Sequence, residues 1–298
     1  MSKKVKFIIN PIAGGVSKEN IVSDISNLID KNHYEYSIIF TEYHGHATLL
    51  AEEAVRMKTD IVVAVGGDGT VNEVAKALVG TDSALGIVPC GSGNGLANHL
   101  QIPVNLTGAL KIINRGFSTR IDSAQINDIP FFCTCGVGYD AKVCNEFTKA
   151  GTRGLSTYVS KSISLYFSYK PLIYKIDTGE IEIIRKALII TGANANQWGN
   201  NFHVAPKASL KDGLLDLIII HPIHLINAIP MPIQILGYTF DHNSRVENIK
   251  CRSVEIQRGE EGEAHFDGEP VILGRDIRIK VIPDSLNVIV SRSQVSKI

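Results

Sequence analysis

Apolar residues recur along this chain in two rhythms. In the first half, short runs at Val5–Ile9, Tyr36–Phe40, Ile61–Val65 and Leu85–Val88 end abruptly at polar residues, glycine or proline, as buried strands do. Between them lie helical stretches. Ser17–Lys31 carries Ile21, Ile25, Leu28 and Ile29 on one stripe, and Ala47–Met57 and Thr70–Val79 complete the alternation. Strand and helix in turn predict a parallel sheet with helices on both faces. After about Arg120 the rhythm changes. Phe131–Val137, Ala187–Ala193, Leu214–Ile220, Ser253–Gln257, Val271–Leu273, Ile277–Val281 and Leu286–Val290 read as strands. Helices near Asp140–Lys149 and Leu155–Tyr169 interrupt them. Strands in series after βα units predict a second, mostly antiparallel domain. The expected class is therefore α/β: an N-terminal three-layer α/β domain over 1–122, then a mostly antiparallel β-sandwich over 123–289. A tail of about 290–298 is expected to pack back on the first domain. The cleft between two such domains is the natural place for an active site.

Composition narrows the classes. With 298 residues and 44% hydrophobic positions, the chain can bury a proper core. Thirty basic and thirty acidic residues cancel, and the isoelectric point is about 7.1, so the chain carries no general polyanion-binding field, which argues against a dedicated nucleic-acid binder. The basic start Met1–Phe7 runs directly into a strand and shows neither the apolar region nor the cleavage site of a signal peptide. Five scattered cysteines (Cys90, Cys133, Cys135, Cys144, Cys251) include no Cys-x-x-Cys pair, which points away from zinc or redox chemistry and towards a reducing cytoplasm. Leu214–Tyr238 is rich in Leu and Ile, but Asp216, His221, His224, Pro222, Pro230 and Pro232 interrupt it. A spanning helix needs about 20 apolar residues in sequence. The segment reads instead as a strand, a turn and an apolar helix from near His224, buried in the core rather than docked on a surface.

The chemistry concentrates where strands end. The Ile61–Val65 strand stops at Gly66-Gly67-Asp68-Gly69 and turns into a helix. Glycines let the backbone turn tightly and approach a ligand, and the first turn of a helix offers unused N–H groups and a positive dipole end to an anion. Thr70 with Glu73 three residues on predicts a capping box that sets the helix start. Neither Gly-x-x-x-x-Gly-Lys-Ser/Thr nor Gly-x-Gly-x-x-Gly is present, so this is no P-loop and no dinucleotide fingerprint. A glycine-rich turn without ligand is the plain alternative. A second loop, Gly91-Ser92-Gly93-Asn94, follows the Leu85–Val88 strand, and Asn10 and Thr41 fall at further strand ends. In a parallel sheet these ends share one rim, where ligands bind. Far along the chain, Asp267-Gly268-Glu269 places two carboxylates around a glycine. Either could accept a hydroxyl proton during phosphoryl transfer, and Asp-Gly is also the strongest short hairpin signal.

These elements, taken in order, resemble the diacylglycerol kinase catalytic-domain family, which includes bacterial lipid kinases and sphingosine kinases. Asn10-Pro11-x-x-Gly14-Gly15, Thr41 with His46-Ala47, Gly66-Gly67-Asp68-Gly69-Thr70-x-Asn72-Glu73, Gly91-Ser92-Gly93-Asn94, Asp212-Gly213-Leu214-Leu215-Asp216 and Asp267-Gly268-Glu269 span nearly the whole chain. The resemblance implies an ATP-dependent lipid kinase that passes the γ-phosphoryl group of Mg-ATP to a lipid hydroxyl. It implies ATP at Asn10, Pro11, Ile12, Ala13, Gly14, Thr41, Gly66, Gly67, Asp68, Gly69, Thr70, Val71, Asn72 and Ser92. Asp68 would stand near the phosphates and a catalytic Mg²⁺, and Asp267 or Glu269 would be the base. It further implies a structural Mg²⁺ held by the Asp212 carboxylate and the Ser209 and Leu214 carbonyls, where a plain turn reads equally well.

Gly91-Ser92 replaces the Gly-Thr of many bacterial members and is similar to the sphingosine and ceramide kinase branch, so an amino-alcohol lipid competes with diacylglycerol as acceptor. Expected partners are a lipid at the inner membrane leaflet and no nucleic acid, with no transmembrane segment; a homodimer is left open. His44 and His46 read as loop and helix-start residues, His46 near the ribose, and Trp198 as a cover for the second domain. Two rival readings are an NAD kinase, whose usual Asn-Glu pair is missing here, and a non-catalytic nucleotide sensor, against which the acid pair speaks. Asp267→Asn is expected to keep ATP binding and abolish phosphorylation.

Overall fold

The computed structural model describes residues 2–14, 18–149, 162, 164–199, 201–223, 231–296 and 298. The chain forms two compact units, 1–123 with 283–298, and 124–282.

The first unit opens β1 (Lys3–Ile9), α1 (Lys18–Leu28), β2 (Tyr34–Phe40), α2 (His46–Arg56), β3 (Ile61–Gly66), α3 (Asp68–Leu78) and β4 (Ala84–Pro89). Two helices follow, α4 (Gly95–His99) and α5 (Leu106–Arg115), and then β5 (Ser118–Ile126). The strands lie in the order β2-β1-β3-β4, all parallel, with Ile9 opposite both Phe40 and Val65, and Gly66 opposite Pro89. Every residue of β3 and β4 is buried, which is why both strands read as unbroken apolar runs. Right-handed crossovers then place α1 on one face, because β1 to β2 moves one way along the sheet, and α2 and α3 on the other, because β2 to β3 to β4 moves back. Accordingly α2 packs on α3, and α1 on α5. The chain returns to this unit in the last part of β16 (Asp276–Ile289), where Val288 pairs beside Leu85 of β4.

The second unit carries β6 (Ile129–Phe131), β7 (Thr134–Gly138), α6 (Tyr139–Lys149), β8 (Leu172–Asp177), β9 (Glu182–Ala187), β10 (Ile189–Ala193), β11 (Leu215–Ile220), α7 (Met231–Leu236), β12 (Val246–Cys251), β13 (Ser253–Arg258), β14 (Gly262–Phe266), β15 (Glu269–Leu273) and the first part of β16. One antiparallel sheet runs β12-β11-β10-β7-β14-β15, and β16, β13, β8 and β9 form the other. Leu215, Leu217 and Ile219 of β11 meet Val254, Ile256, Ile277 and Ile279 in the core between the sheets. Ile218 and Ile220 face the other way, into a second cluster with Leu188, Met231, Ile235 and Phe240. That double burial explains a strand with hardly an alternating position. By contrast β13 alternates exposed and buried residues along its whole length, because its outer face meets water.

Several boundaries differ from expectation for physical reasons. Phe131–Val137 is two strands, broken at residues 132–133, whose backbone N–H groups serve a side chain described below. Ala187–Ala193 is likewise divided between β9 and β10 at Leu188. Ser17 and Gly15, most of the expected Leu155–Tyr169 helix, and residues 224–230 of the apolar helix fall outside the described residues. Among the described residues, no helix is long and apolar enough to cross a membrane. Trp198 packs on the second hydrophobic cluster, in the covering position expected of it.

Candidate active site

In the first unit the strand-end loops are tied to one another. Asn10 N donates to Val65 O at 2.9 Å, and Asn10 Nδ2 donates to Thr70 Oγ1 at 3.1 Å, joining the β1 loop to the start of α3. Ile12 N donates back to Asn10 Oδ1 at 3.1 Å and shapes the turn through Pro11 and Ala13. Gly14 has φ +72°, and a Cβ there would stand 2.2 Å from Cys90 O, so only glycine fits. Thr41 N donates to Ile9 O at 2.9 Å and places Thr41 beside the β1 loop.

Asp68 is the clasp between the two glycine loops. Its Oδ2 accepts from Asn94 N at 2.8 Å and its Oδ1 from Gly95 N at 2.6 Å. Asn94 has φ +50°, and its carboxamide closes its own loop by accepting from Gly91 N at 2.9 Å and donating to Gly91 O at 2.7 Å. The loops touch through bare backbone: a Cβ on Gly91 would lie 2.6 Å from the Cα of Gly67. Burial raises the Asp68 carboxyl above its ordinary value, against the opposing pull of the Gly95 and Asn94 amides.

Val71 N is spent on Gly67 O at 3.1 Å, and Val71 and Asn72 are buried. The helix donors without an acceptor in their own helix are therefore those of Asp68, Gly69 and Thr70. Ser92 is exposed at the tip of the second loop. A cavity of about 300 Å³ opens beside this cradle, lined by Gly14, Pro89, Cys90, Gly91, Asn94 and Asn105, among others. Thr41 and the Gly66–Asn72 segment do not line it.

The expected capping box does not form. Helix α3 begins at Asp68, two residues early, with Gly67 as an extended N-cap that makes no side-chain cap. Thr70 Oγ1 is taken by Asn10. Glu73 instead caps the neighbouring helix: its carboxylate accepts from Gly45 N at 2.9 Å and Ala47 N at 3.0 Å at the start of α2. His44 pairs with the same carboxylate at 3.2 Å. His46 Nδ1 accepts from Glu42 N at 3.1 Å, and its ring stacks on Tyr43.

In the second unit, Asp267 (φ +47°) and Gly268 (φ +83°) form a two-residue hairpin turn between Phe266 and Glu269. The Asp267 carboxylate accepts from three backbone amides, Phe132 N (2.8 Å), Cys133 N (2.8 Å) and Thr134 N (3.0 Å), while its own N donates to Thr134 O at 2.7 Å. These bonds interrupt the expected 131–137 strand. Glu269, by contrast, is half-buried, and its side chain makes no hydrogen bond or ion pair among the described residues.

Helix α6 grips this hairpin along its length. Cys144 Sγ donates to Gly268 O at 3.0 Å, Lys142 Nζ pairs with Glu263 at 2.8 Å, and buried Asp140 pairs with buried His265 at 3.0 Å. Thr191 Oγ1 donates to Asp140 Oδ2 at 3.2 Å. A Cβ on Gly136 would stand 2.5 Å from Asp140 Oδ2 and 2.8 Å from His265 Nε2, so the glycine makes room for the pair. Asp140 and His265 were not read as site residues from the sequence. The available signal was a charged residue at the start of a predicted helix and a histidine two positions before the acid pair.

The Ser209–Leu214 turn carries its own cation. Asp212 Oδ1 accepts from Leu214 N at 3.1 Å, and its Oδ2 pairs with Lys250 Nζ at 2.7 Å. The Lys250 ammonium already holds the carboxylate that a divalent ion would have to take, so the residues present do not fit that ion. Among the described residues no cluster of three or more His, Cys, Asp or Glu could hold a metal.

Residues 4–126 match the profile of the diacylglycerol kinase catalytic domain, and residues 133–290 that of the YegS C-terminal NAD kinase beta sandwich-like domain. A probable lipid kinase, YegS-like, from Pectobacterium atrosepticum is 31% identical over 264 residues, 86% of this chain and 87% of that protein. A diacylglycerol kinase from Staphylococcus aureus is 28% identical over 281 residues, covering 90% and 87%. Among solved structures, a putative diacylglycerol kinase from Bacillus anthracis superposes with a TM-score of 0.81 at 23% identity, covering 98% of this chain and 97% of that one. An NAD kinase from Archaeoglobus fulgidus in complex with ATP does so at 0.55 and 12%, covering 99% and 96%.

Proposed function

The chain belongs to the diacylglycerol kinase catalytic-domain family, and from that premise we propose that it transfers the γ-phosphoryl group of Mg-ATP to the hydroxyl of a lipid at the inner membrane leaflet. The supporting observation is the Asp68 clasp, which locks two glycine loops together and turns the first-turn amides of α3 towards the parallel-strand rim. Such amides favour the charge of a triphosphate. The transferring group develops charge on its equatorial oxygens, so catalysis is mostly positioning and electrostatics. Asn10 through Gly14, Thr41, Gly66 through Asn72 and Ser92 form the nucleotide side of this reading. Val71 and Asn72 act from within the helix, not by direct contact. Bound Mg²⁺ supplies positive charge to the phosphates, and with one carboxylate nearby its ligands are chiefly the phosphates and water.

Glu269 is the base in this reading. Its carboxylate makes no hydrogen bond or ion pair among the described residues, whereas three backbone amides occupy Asp267, which positions the turn. Proton acceptance by such a group contributes about 10²–10⁴-fold. Diacylglycerol and sphingoid or ceramide-type lipids are both acceptors of the right chemistry, an exposed hydroxyl on an apolar body. The test is incubation with labelled Mg-ATP and a panel of diacylglycerol, sphingosine, ceramide and NAD, read by mass spectrometry. A phosphorylated lipid is the expected product. Phosphorylated NAD alone would replace this reading with the NAD kinase one, and ATP binding without any product would leave a nucleotide sensor.

A further inference from the structure

We infer that the Lys250 ammonium is this chain's own replacement for the divalent cation that family resemblance predicts at the Asp212–Leu214 turn, so that the turn and the strand it opens are held without metal. The inference is independent of the kinase reading, because it concerns what stabilises the second unit.

The register creates the arrangement. β11 and β12 pair antiparallel with Asp216 directly opposite Lys250, so the two side chains share a face of the sheet. From that position the lysine stem reaches back to the turn. Its Nζ lies 2.7 Å from Asp212 Oδ2 and 3.4 Å from Asp216 Oδ2. Asp216 is 1% exposed, and a carboxylate so buried needs compensating charge. Its other oxygen accepts from Asn248 Nδ2 at 2.8 Å. The second oxygen of Asp212 accepts from Leu214 N. Three of the four carboxylate oxygens thus have a hydrogen-bond partner within the chain, and the fourth, the buried Asp216 Oδ2, faces the Lys250 ammonium as an ion pair without a hydrogen bond.

A hard cation at this turn would have to take the same oxygens. Mg²⁺ needs near-octahedral oxygen ligands at about 2.0–2.1 Å. It would also stand a few ångströms from an ammonium, where like charges repel.

The experiment follows thermal unfolding of the full chain in nucleotide-free buffer, after chelation and then with increasing MgCl₂ or CaCl₂. Wild type is expected to show no metal response that depends on Asp212, and mass spectrometry of the purified protein is expected to find no stoichiometric divalent ion. Lys250→Met exposes two uncompensated carboxylates. It is expected to unfold at lower temperature and to recover as Mg²⁺ or Ca²⁺ rises, by equal increments per tenfold concentration beyond saturation. Lys250→Met/Asp212→Asn loses that recovery, and Lys250→Arg stays metal-independent. Two results would overturn the inference. One is a wild type that chelation destabilises and Mg²⁺ restores, with the response gone in Asp212→Asn. The other is a folded Lys250→Met indifferent to every divalent ion. If Lys250→Met does not fold, the wild-type chelation series with Asp212→Asn decides alone.

Discussion

At the scale of single residues, the two acids of the 267–269 turn have separate work. Three amides point at Asp267, whereas Glu269 has no partner among the described residues, so substitution should split their effects. Glu269→Gln should keep the folding midpoint and ATP affinity of the wild type while turnover falls by about 10²–10⁴-fold. Asp267→Asn turns an NH₂ group towards amide donors that lose their acceptor. Each unsatisfied buried group costs about 1–3 kcal/mol, so this variant should unfold earlier as well as slow down. A stable, inactive Asp267→Asn beside an active Glu269→Gln would reverse the assignment.

The cysteines give a second residue-scale prediction. Cys90 lines the 300 Å³ cavity and is half-buried, whereas the other four are buried. Burial raises the Cys135 thiol well above its ordinary value, Cys144 to about 12 and Cys251 to about 11, so these three stay protonated and unreactive at neutral pH. Thiol titration of the native protein at pH 8 should therefore modify Cys90 first. Slowing by ATP would place nucleotide in that cavity, and an unchanged rate would place it elsewhere.

At the scale of elements, helix α6 holds β14 and the turn after it through Asp140, Lys142 and Cys144 in succession. Gly136 on β7 is the space that the Asp140–His265 pair occupies. Gly136→Ala should push that pair apart and cost about 1–3 kcal/mol, read as a lowered denaturant midpoint with unchanged slope. Gly91→Ala differs in kind. It forces two loops apart at the cradle, so ATP affinity should fall more than stability. The capping box at Thr70 illustrates why local motifs mislead. The pattern was present, but both side chains found better partners on other elements, Asn10 for Thr70 and the start of α2 for Glu73. The β8–β9 hairpin was not anticipated either. Ile173 and Ile184 lie exposed on its outer face, which blurs the apolar alternation that announces a strand.

At the scale of the molecule, the chain leaves the first unit in β5 and returns in β16. Residues 283–298 supply a strand beside β4, with Leu286, Val288 and Val290 buried and Gly80 N donating to Ser285 O at 2.7 Å. The second unit is contiguous and the first is not. A fragment of residues 124–282 should fold alone, with antiparallel β circular dichroism and a cooperative thermal transition. Residues 1–123 without the returning strand should not, because β4 would be left as an apolar edge.

Period and punctuation alone settled the class of fold and the order of the motifs. Helix stripes, apolar runs ending in glycine and the change of rhythm near Arg120 are written in local sequence, since 3.6- and two-residue periods reflect which face a residue must bury. The family of kinases was legible for the same reason: its glycine loops and acids stand in fixed order along the chain. What each acid is free to do was decided only by folding. Asp68 is a clasp, Asp267 a brace, Glu73 a cap for another helix, and Asp212 the partner of a lysine 38 residues away. Hydrogen bonds and ion pairs form between neighbours in space, and a carboxylate's chemistry depends on which donors reach it first.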